Sequence, residues 1–189
     1  MTVLEIARLG HPILLARARP VEDPSAPAIR TLARDMIETM REAGGIGLAA
    51  PQVHASLRLV VALPITSRET CREVEPLVLV NPELEALDGG IEEALEGCLS
   101  IPGLRGLVPR ARRVGFRGFD LAGRPIAGEA EGLPARILQH ELDHLDGVLF
   151  PMRMTDLRSL AFESELHHLE GGSEPPSVAA MPSAVGLGR

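Results

Sequence analysis

The segment His140-Glu141-Leu142-Asp143-His144 constrains this chain more than any other feature of its sequence. Two histidines four residues apart lie on one face of an α-helix, where a single metal ion can bind both imidazoles. Glu141 can reach water on that metal without binding the metal itself. A thiolate from Cys98 would complete three protein ligands and leave a fourth position open, as in catalytic sites. The pattern therefore predicts a metal-dependent hydrolase.

Other interpretations of these residues stay open. The two histidines could be hydrogen-bonded core side chains, and the cysteine a buried inert thiol. A separate leucine face, formed by Leu138, Leu142 and Leu145, would pack the helix and leave the histidine face for chemistry. Asp143 and Asp146 are either acceptors for imidazole N–H groups or exposed carboxylates near the helix end.

The overall charge argues against one class of function. A net charge of −7 disfavours a nucleic-acid binder that works through its overall charge, and no specific nucleic-acid sequence is expected. Five arginines nevertheless cluster in sequence, namely Arg105, Arg110, Arg112, Arg113 and Arg117. They indicate either a solvated strand face or a surface for transient contact with an RNA-rich particle, the ribosome.

The cysteines and apolar segments predict a cytoplasmic protein. Two cysteines, Cys71 and Cys98, do not make a disulfide framework in a chain of 189 residues. The N-terminus does not resemble a signal peptide, and no apolar run approaches the roughly 18 residues that span a membrane. A reducing compartment suits a ligand thiolate at Cys98. Cys71 lies in a polar loop, and we expect it to have no role in the site.

Periodicity and turn residues predict an α+β fold. Helices are expected over about 26–43, over 133–145 for the segment with the two histidines, and over 156–168. Strands are expected over 57–63, over 77–80 with an end at Asn81-Pro82, near Val108 and over 113–119, with a hairpin turn at 122–124. Because the strands precede the main helix, we expect small antiparallel or mixed sheets packed around that helix, with an N-terminal and a C-terminal helix. Residues 1–170 form one predicted domain, and 171–189 a disordered tail.

Three blocks of sequence together resemble the peptide deformylase family. They are Gly45-Ile46-Gly47-Leu48-Ala49-Ala50-Pro51-Gln52, Glu96-Gly97-Cys98-Leu99-Ser100 and Gln139-His140-Glu141-Leu142-Asp143-His144-Leu145. Their order and spacing are similar to those of the family over about residues 3–165. One departure is His54 after Val53, where many relatives have glycine.

The resemblance implies a mononuclear metal site with Cys98, His140 and His144 as ligands and water in the fourth position. Relatives generally use Fe²⁺, and Zn²⁺, Ni²⁺ or Co²⁺ can take its place. The implied reaction removes the N-formyl group from the formylmethionine of newly made polypeptides. Glu141 would be the general base, and the formyl oxygen would accept hydrogen bonds from the Gln52 amide and the Leu99 backbone N–H.

The resemblance also implies how the peptide binds. The backbones of Ile46, Gly47 and Gly97 would hold it as an added strand, which reads the main chain and tolerates many sequences. Leu133 and Ile137, with Ile46, would form a methionine pocket, although all three are equally explicable as core. Arg105 would lie at the mouth of the site or simply be a surface arginine.

Two rival functions remain from the residues alone. A peptidase of the HExxH type would share the metal and base but usually takes a later glutamate or histidine as its third ligand. A non-catalytic, metal-stabilised binding module would have a closed coordination sphere and no role for Gln52 or Glu141.

Overall fold

A computed structural model describes residues 2–64 and 75–170 of the chain. Cys71 and the predicted tail at 171–189 lie outside the described residues, so those two predictions stay untested. Within these two ranges, no helix has both the length and the apolar character needed to cross a membrane.

Two long helices form where the sequence predicts them. Helix α1 is Pro27–Glu42 and helix α2 is Leu133–Leu145, each with a proline in its first turn, where the missing N–H is not needed. Gly147 follows α2 with φ of 75°, and an added Cβ there would lie 2.7 Å from the Leu15 carbonyl oxygen. Glycine is therefore required at the end of α2.

In the described part of the chain, eight strands form two antiparallel sheets. In chain order they are β1 (Gly47–Ala49), β2 (Leu59–Ala62), β3 (Leu77–Ala86), β4 (Ile91–Cys98), β5 (Ile101–Ala111), β6 (Arg113–Phe119), β7 (Pro125–Glu131) and β8 (Ala161–Phe162). The larger sheet has the order β1-β2-β3-β6-β7 and the smaller one β4-β5-β8. Helix α2 contacts β1, β2, β3 and β7 of the larger sheet and β5 of the smaller one, so it packs against both sheets.

The core supports α2 on its leucine face. Leu145 is completely buried and Leu138 is 6% exposed, in a cluster with residues of α1, β1, β2 and β3. Phe150 and Leu149 anchor a second cluster against β5. The predicted α+β class is confirmed, and the packing leaves the histidine face of α2 turned toward the end of β4.

Two predictions of element boundaries are wrong. Strand β3 does not end at Asn81-Pro82 but continues to Ala86. It passes the proline through an irregularity, where Asn81 takes a left-handed φ of 50° and the pairing with β6 shifts register. The Asn81 side chain bonds both the N–H and the carbonyl of Val21 at 2.8 and 2.9 Å, which holds this irregularity in place.

The predicted bounds of the C-terminal helix, 156–168, are also wrong, although a shorter helix does form there. Asp156 accepts a hydrogen bond from the Arg158 N–H, but it caps only the short 3-10 helix Leu157–Ser159. Ala161 and Phe162 then pair with β5 as strand β8, and only Leu166–Glu170 is α-helical (α3). Pairing with a long strand overrides the local helical pattern.

Candidate metal centre and active-site cavity

Three donor side chains converge between α2 and the end of β4. The ligand atoms of Cys98, His140 and His144 all lie within 4.8 Å of one another. The Cys98 sulfur is 3.2 Å from Nε2 of His144 and accepts a hydrogen bond from the Ser100 N–H at 3.4 Å. A single ion can therefore contact all three residues that the sequence singles out.

The donor set fits one divalent transition metal. One sulfur and two imidazole nitrogens suit Fe²⁺, Zn²⁺, Ni²⁺ or Co²⁺ better than Mg²⁺ or Ca²⁺, which prefer oxygen ligands. One carboxylate oxygen of Glu141 is buried and has no hydrogen-bond partner among the described residues. An unpaired buried carboxylate oxygen beside three donors is explained by a cation and its water.

Glu96 orients the first imidazole. Its carboxylate lies 2.8 Å from Nδ1 of His140, which leaves Nε2 of that ring for a metal. Arg110 donates to Glu96 at 2.9 and 3.0 Å, and Arg136 donates at 2.8 Å. Burial would raise the pKa of Glu96, but the hydrogen bonds from His140 and Arg110 outweigh it and lower this pKa to about 2. Glu96 is therefore ionised beneath the site.

Asp143 and Asp146 do not accept from the imidazoles, which was one of the two interpretations left open for them. Asp143 is buried, but it pairs with Arg110 at 2.5 Å and with Arg153 at 2.6 Å rather than with a histidine. Asp146 pairs with Arg58 at 2.8 Å near the surface. The carboxylate that holds His140 comes instead from β4, 44 residues earlier in the chain.

Glu141 lies in a buried position that Gly47 makes possible. Its exposure is only 4%, and a Cβ added at Gly47 would overlap its carboxylate. Burial raises the pKa of Glu141 to about 7. A cation nearby would favour the ionised form, so the group can both take up and release a proton near neutral pH.

The Gln52 amide is fixed from two sides. Its oxygen accepts a hydrogen bond from the Ala49 N–H at 2.8 Å, and its nitrogen is 3.2 Å from Oγ of Ser100 and 3.5 Å from the sulfur of Cys98. His54, two residues later, has a left-handed φ of 62°, a conformation that glycine adopts without strain.

A cavity of about 630 Å³ lies over these groups. Its lining includes every predicted site residue except His144, which is buried beneath it: Ile46, Gly47, Gln52, Gly97, Cys98, Leu99, Arg105, Leu133, Ile137, His140 and Glu141. The three apolar residues suggested for a methionine pocket also pack against the main core, so they serve both interpretations.

The clustered arginines do not form a free basic patch. Arg105 pairs with Glu163 at the cavity mouth and packs so closely on Gly97 that a Cβ added there would overlap its guanidinium group. Arg110 is buried under the site. The other three each pair with carboxylates across the strands, as Arg112 with Glu131, Arg113 with Asp88 and Glu129, and Arg117 with Glu83.

Sequence reasoning missed the supporting roles of Glu96, Arg110, Arg136 and Ser100. Glu96 and Ser100 belong to the block around Cys98, but the partners of their side chains lie elsewhere in the chain. An acidic residue two positions before the cysteine is the one signal available, because both would share a face if the segment were a strand.

A buried helix supplies two histidines and a carboxylate, and Cys98 at the end of β4 completes the donor set beside an open cavity. This arrangement defines a candidate metal-dependent hydrolase. The family described as polypeptide deformylase matches residues 3–160. Peptide deformylase 2 of Bordetella bronchiseptica is 47% identical over 163 residues, which are 85% of this chain and 93% of that protein. The chain therefore belongs to the polypeptide deformylase family.

Solved structures of relatives have the same fold. The class I type b peptide deformylase of Acinetobacter baumannii with Met-Ala-Ser bound has a TM-score of 0.75 and 38% identity, covering 81% of this chain and 99% of that one. The peptide deformylase of Thermotoga maritima has a TM-score of 0.75 and 35% identity, covering 82% of this chain and all of that one.

Proposed function

We propose that this protein is a peptide deformylase, which hydrolyses the N-formyl group of formylmethionine at the start of new polypeptides and releases formate. The observation that carries the proposal is the convergence of Cys98, His140 and His144 beside the buried carboxylate of Glu141. Membership of the family supports the reaction.

Cys98, His140 and His144 would hold the metal, which we propose is Fe²⁺, with Zn²⁺, Ni²⁺ or Co²⁺ as substitutes. A divalent cation there supplies a Lewis acid that polarises the formyl oxygen and makes nearby water more acidic. Glu96 keeps the His140 ring in one orientation, so less conformational freedom is lost when the ligands close around an ion.

Glu141 would move the proton. Its carboxylate accepts a proton from the water whose oxygen attacks the formyl carbon, and it then gives this proton to the nitrogen of the breaking C–N bond. The products are formate and a peptide with a free amine. Burial keeps the carboxylate from being solvated, so that it is a stronger base than an exposed glutamate.

Gln52 and Leu99 would stabilise the oxygen of the attacked group. As the formyl carbon becomes tetrahedral, negative charge grows on this oxygen, and the Gln52 amide and the Leu99 backbone N–H donate to it. Loss of one such donor typically raises the barrier by about 2.7–4 kcal/mol.

The cavity would hold the peptide as an extra strand beside Gly97 and Ile46. The methionine side chain would lie against Ile46, Leu133 and Ile137, and later residues would leave past Arg105. The relative solved with Met-Ala-Ser bound supports binding of a peptide that begins with methionine. A cytoplasmic location and a transient ribosome contact stay predictions.

The proposal is tested by formate release from formyl-Met-Ala-Ser with anaerobically purified protein of known metal content. We expect formate release by the wild type and its loss in Glu141→Ala with the metal retained. Glu165→Ala, which changes an exposed glutamate far from α2 in sequence, is the control and should retain activity.

Three results would contradict this assignment. Full activity of Glu141→Ala would exclude the glutamate as the base. Cleavage of unformylated peptides without formate release would identify a peptidase. Inactive protein with a metal that has no exchangeable water would favour the binding module.

A further inference from the structure

Ser100 is buried beside two groups of the proposed active site but takes no part in the proposed reaction steps. Its side chain is completely buried, its hydroxyl oxygen accepts from the Gln52 amide at 3.2 Å, and its N–H donates to the Cys98 sulfur. It therefore contacts both the proposed oxyanion donor and a proposed metal ligand.

The orientation of the Gln52 amide follows from its neighbours. The Ala49 N–H can only donate, so the atom of Gln52 that faces it must be the oxygen. The amide nitrogen therefore faces Ser100 and Cys98. One N–H is held by the Ser100 hydroxyl, and the other faces the Cys98 sulfur at the longer distance of 3.5 Å, at the wall of the cavity that Gln52 and Cys98 both line.

The N-terminal segment fixes the distance between Gln52 and Ser100. The Ala7 N–H donates to the Gln52 carbonyl at 2.8 Å, and the Leu9 N–H donates to the Ser100 carbonyl at 2.8 Å. One extended segment thus joins the backbone of the 3-10 helix Ala50–Val53 to the turn after β4. The hydroxyl and the amide are held in contact by backbone bonds that do not depend on either side chain.

We propose that Ser100 is a positioning residue, whose hydroxyl orients the Gln52 amide toward the oxygen of the scissile formyl group. This inference rests on the proposed function. A donor aimed before the reaction begins needs no reorganisation as charge develops, which is the origin of its effect on the rate. Ser100→Ala removes this one acceptor, while the backbone bonds to Cys98 and Leu9 stay.

The first test observes the amide directly. Gln52 and Gln139 are the two glutamines of the chain and Asn81 is its one asparagine, so side-chain amide NMR signals come from three groups. We expect faster solvent exchange and a smaller heteronuclear NOE at Gln52 in zinc-loaded Ser100→Ala, because Zn²⁺ is diamagnetic and keeps these signals narrow. Gln139 and Asn81 bond to backbone groups away from Ser100 and serve as internal controls.

The second test is a double-mutant cycle with Gln52→Leu. We expect Ser100→Ala to lower kcat about three- to tenfold with KM nearly unchanged, the range for loss of one hydrogen bond. In the Gln52→Leu background the same substitution should change kcat less than about twofold, because the group that Ser100 positions is gone. Ser159→Ala, which removes a hydroxyl bonded to the Asp156 carbonyl outside the cavity, should leave kcat unchanged.

The outcomes separate this proposal from its alternatives. Unchanged Gln52 signals in Ser100→Ala would overturn it, and so would an equal loss of kcat in both backgrounds, which would make Ser100 merely structural. If Ser100→Ala does not fold, Ser100→Cys provides a weaker acceptor of similar size for both tests. Metal-loaded wild type that releases no formate would overturn the proposed function, whereas the NMR result concerns the hydrogen bond alone.

Discussion

Replacement of Glu96 by glutamine should destabilise the metal-free protein strongly. Glu96 and Asp143 are two buried carboxylates that balance the buried guanidinium groups of Arg110 and Arg136. Glu96→Gln keeps the shape but removes one negative charge from this group. It also places an amide N–H against donors from His140 or the two arginines.

The expected loss follows from the burial of the network. Removal of one partner of a buried ion pair costs about 3–5 kcal/mol, since the other charge stays buried without compensation. The Glu96 and Arg110 side chains are only 4% and 5% exposed, so little water can replace the lost contacts. For a domain of this size the loss corresponds to a fall in Tm of about 6–20 °C.

Thermal and urea unfolding of metal-free protein at pH 7 measure this loss. Glu83→Gln is the matched control, because Glu83 pairs with Arg117 on the surface with side-chain exposures of 64% and 74%. An exposed pair contributes about 0–1 kcal/mol. The reasoning is refuted if Glu96→Gln loses no more free energy of unfolding than Glu83→Gln does.

Three further predictions concern the site and its support. Gly47→Ala should abolish formate release with little change in Tm, because the new methyl group displaces the Glu141 carboxylate; a crystal structure or activity assay of the folded variant checks this. Cys98→Ser should lower metal retention through dialysis, measured by elemental analysis against wild type, since it removes the one thiolate ligand. Gly147→Ala should lower the free energy of unfolding by at least about 2 kcal/mol, measured by urea titration. The reason is that alanine would be forced into a left-handed conformation and its Cβ would clash with the Leu15 carbonyl.

The helical part of the site could be predicted because its information is local. The spacing of His140 and His144 fixes both side chains on one face, and Pro134 and Gly147 mark the two ends of α2. The family resemblance then indicated Cys98 and Gln52 as partners, and the fold brings both to that face. None of these inferences needed the course of the intervening chain.

The hydrogen-bonded network beneath the site could not be predicted, because it joins residues that are far apart in the sequence. Glu96 reaches Arg110 across 14 residues and Arg136 across 40, and Asp143 reaches Arg110 across 33. A carboxylate on α2, such as Asp143, is the nearest acceptor in sequence. The antiparallel register of β4 and β5 pairs Glu96 with Gly106 and Glu92 with Arg110, so the Arg110 side chain must extend along the sheet to reach Glu96.

Strand β4 has a composition that does not favour a strand. Its residues Ile91–Cys98 include Glu, Ala and Leu, which favour helices in isolation, and no strand was predicted there. Pairing along almost the whole of β5 overrides this preference. In a regular strand side chains alternate between the two faces, so residues two positions apart, such as Glu96 and Cys98, are expected on the same side. The register with β5 shifts between Gly97 and Cys98, at the end of this strand. An acidic residue two positions before a ligand cysteine in a strand would then predict a carboxylate within reach of the metal-binding histidines, which is the role that Glu96 takes with His140.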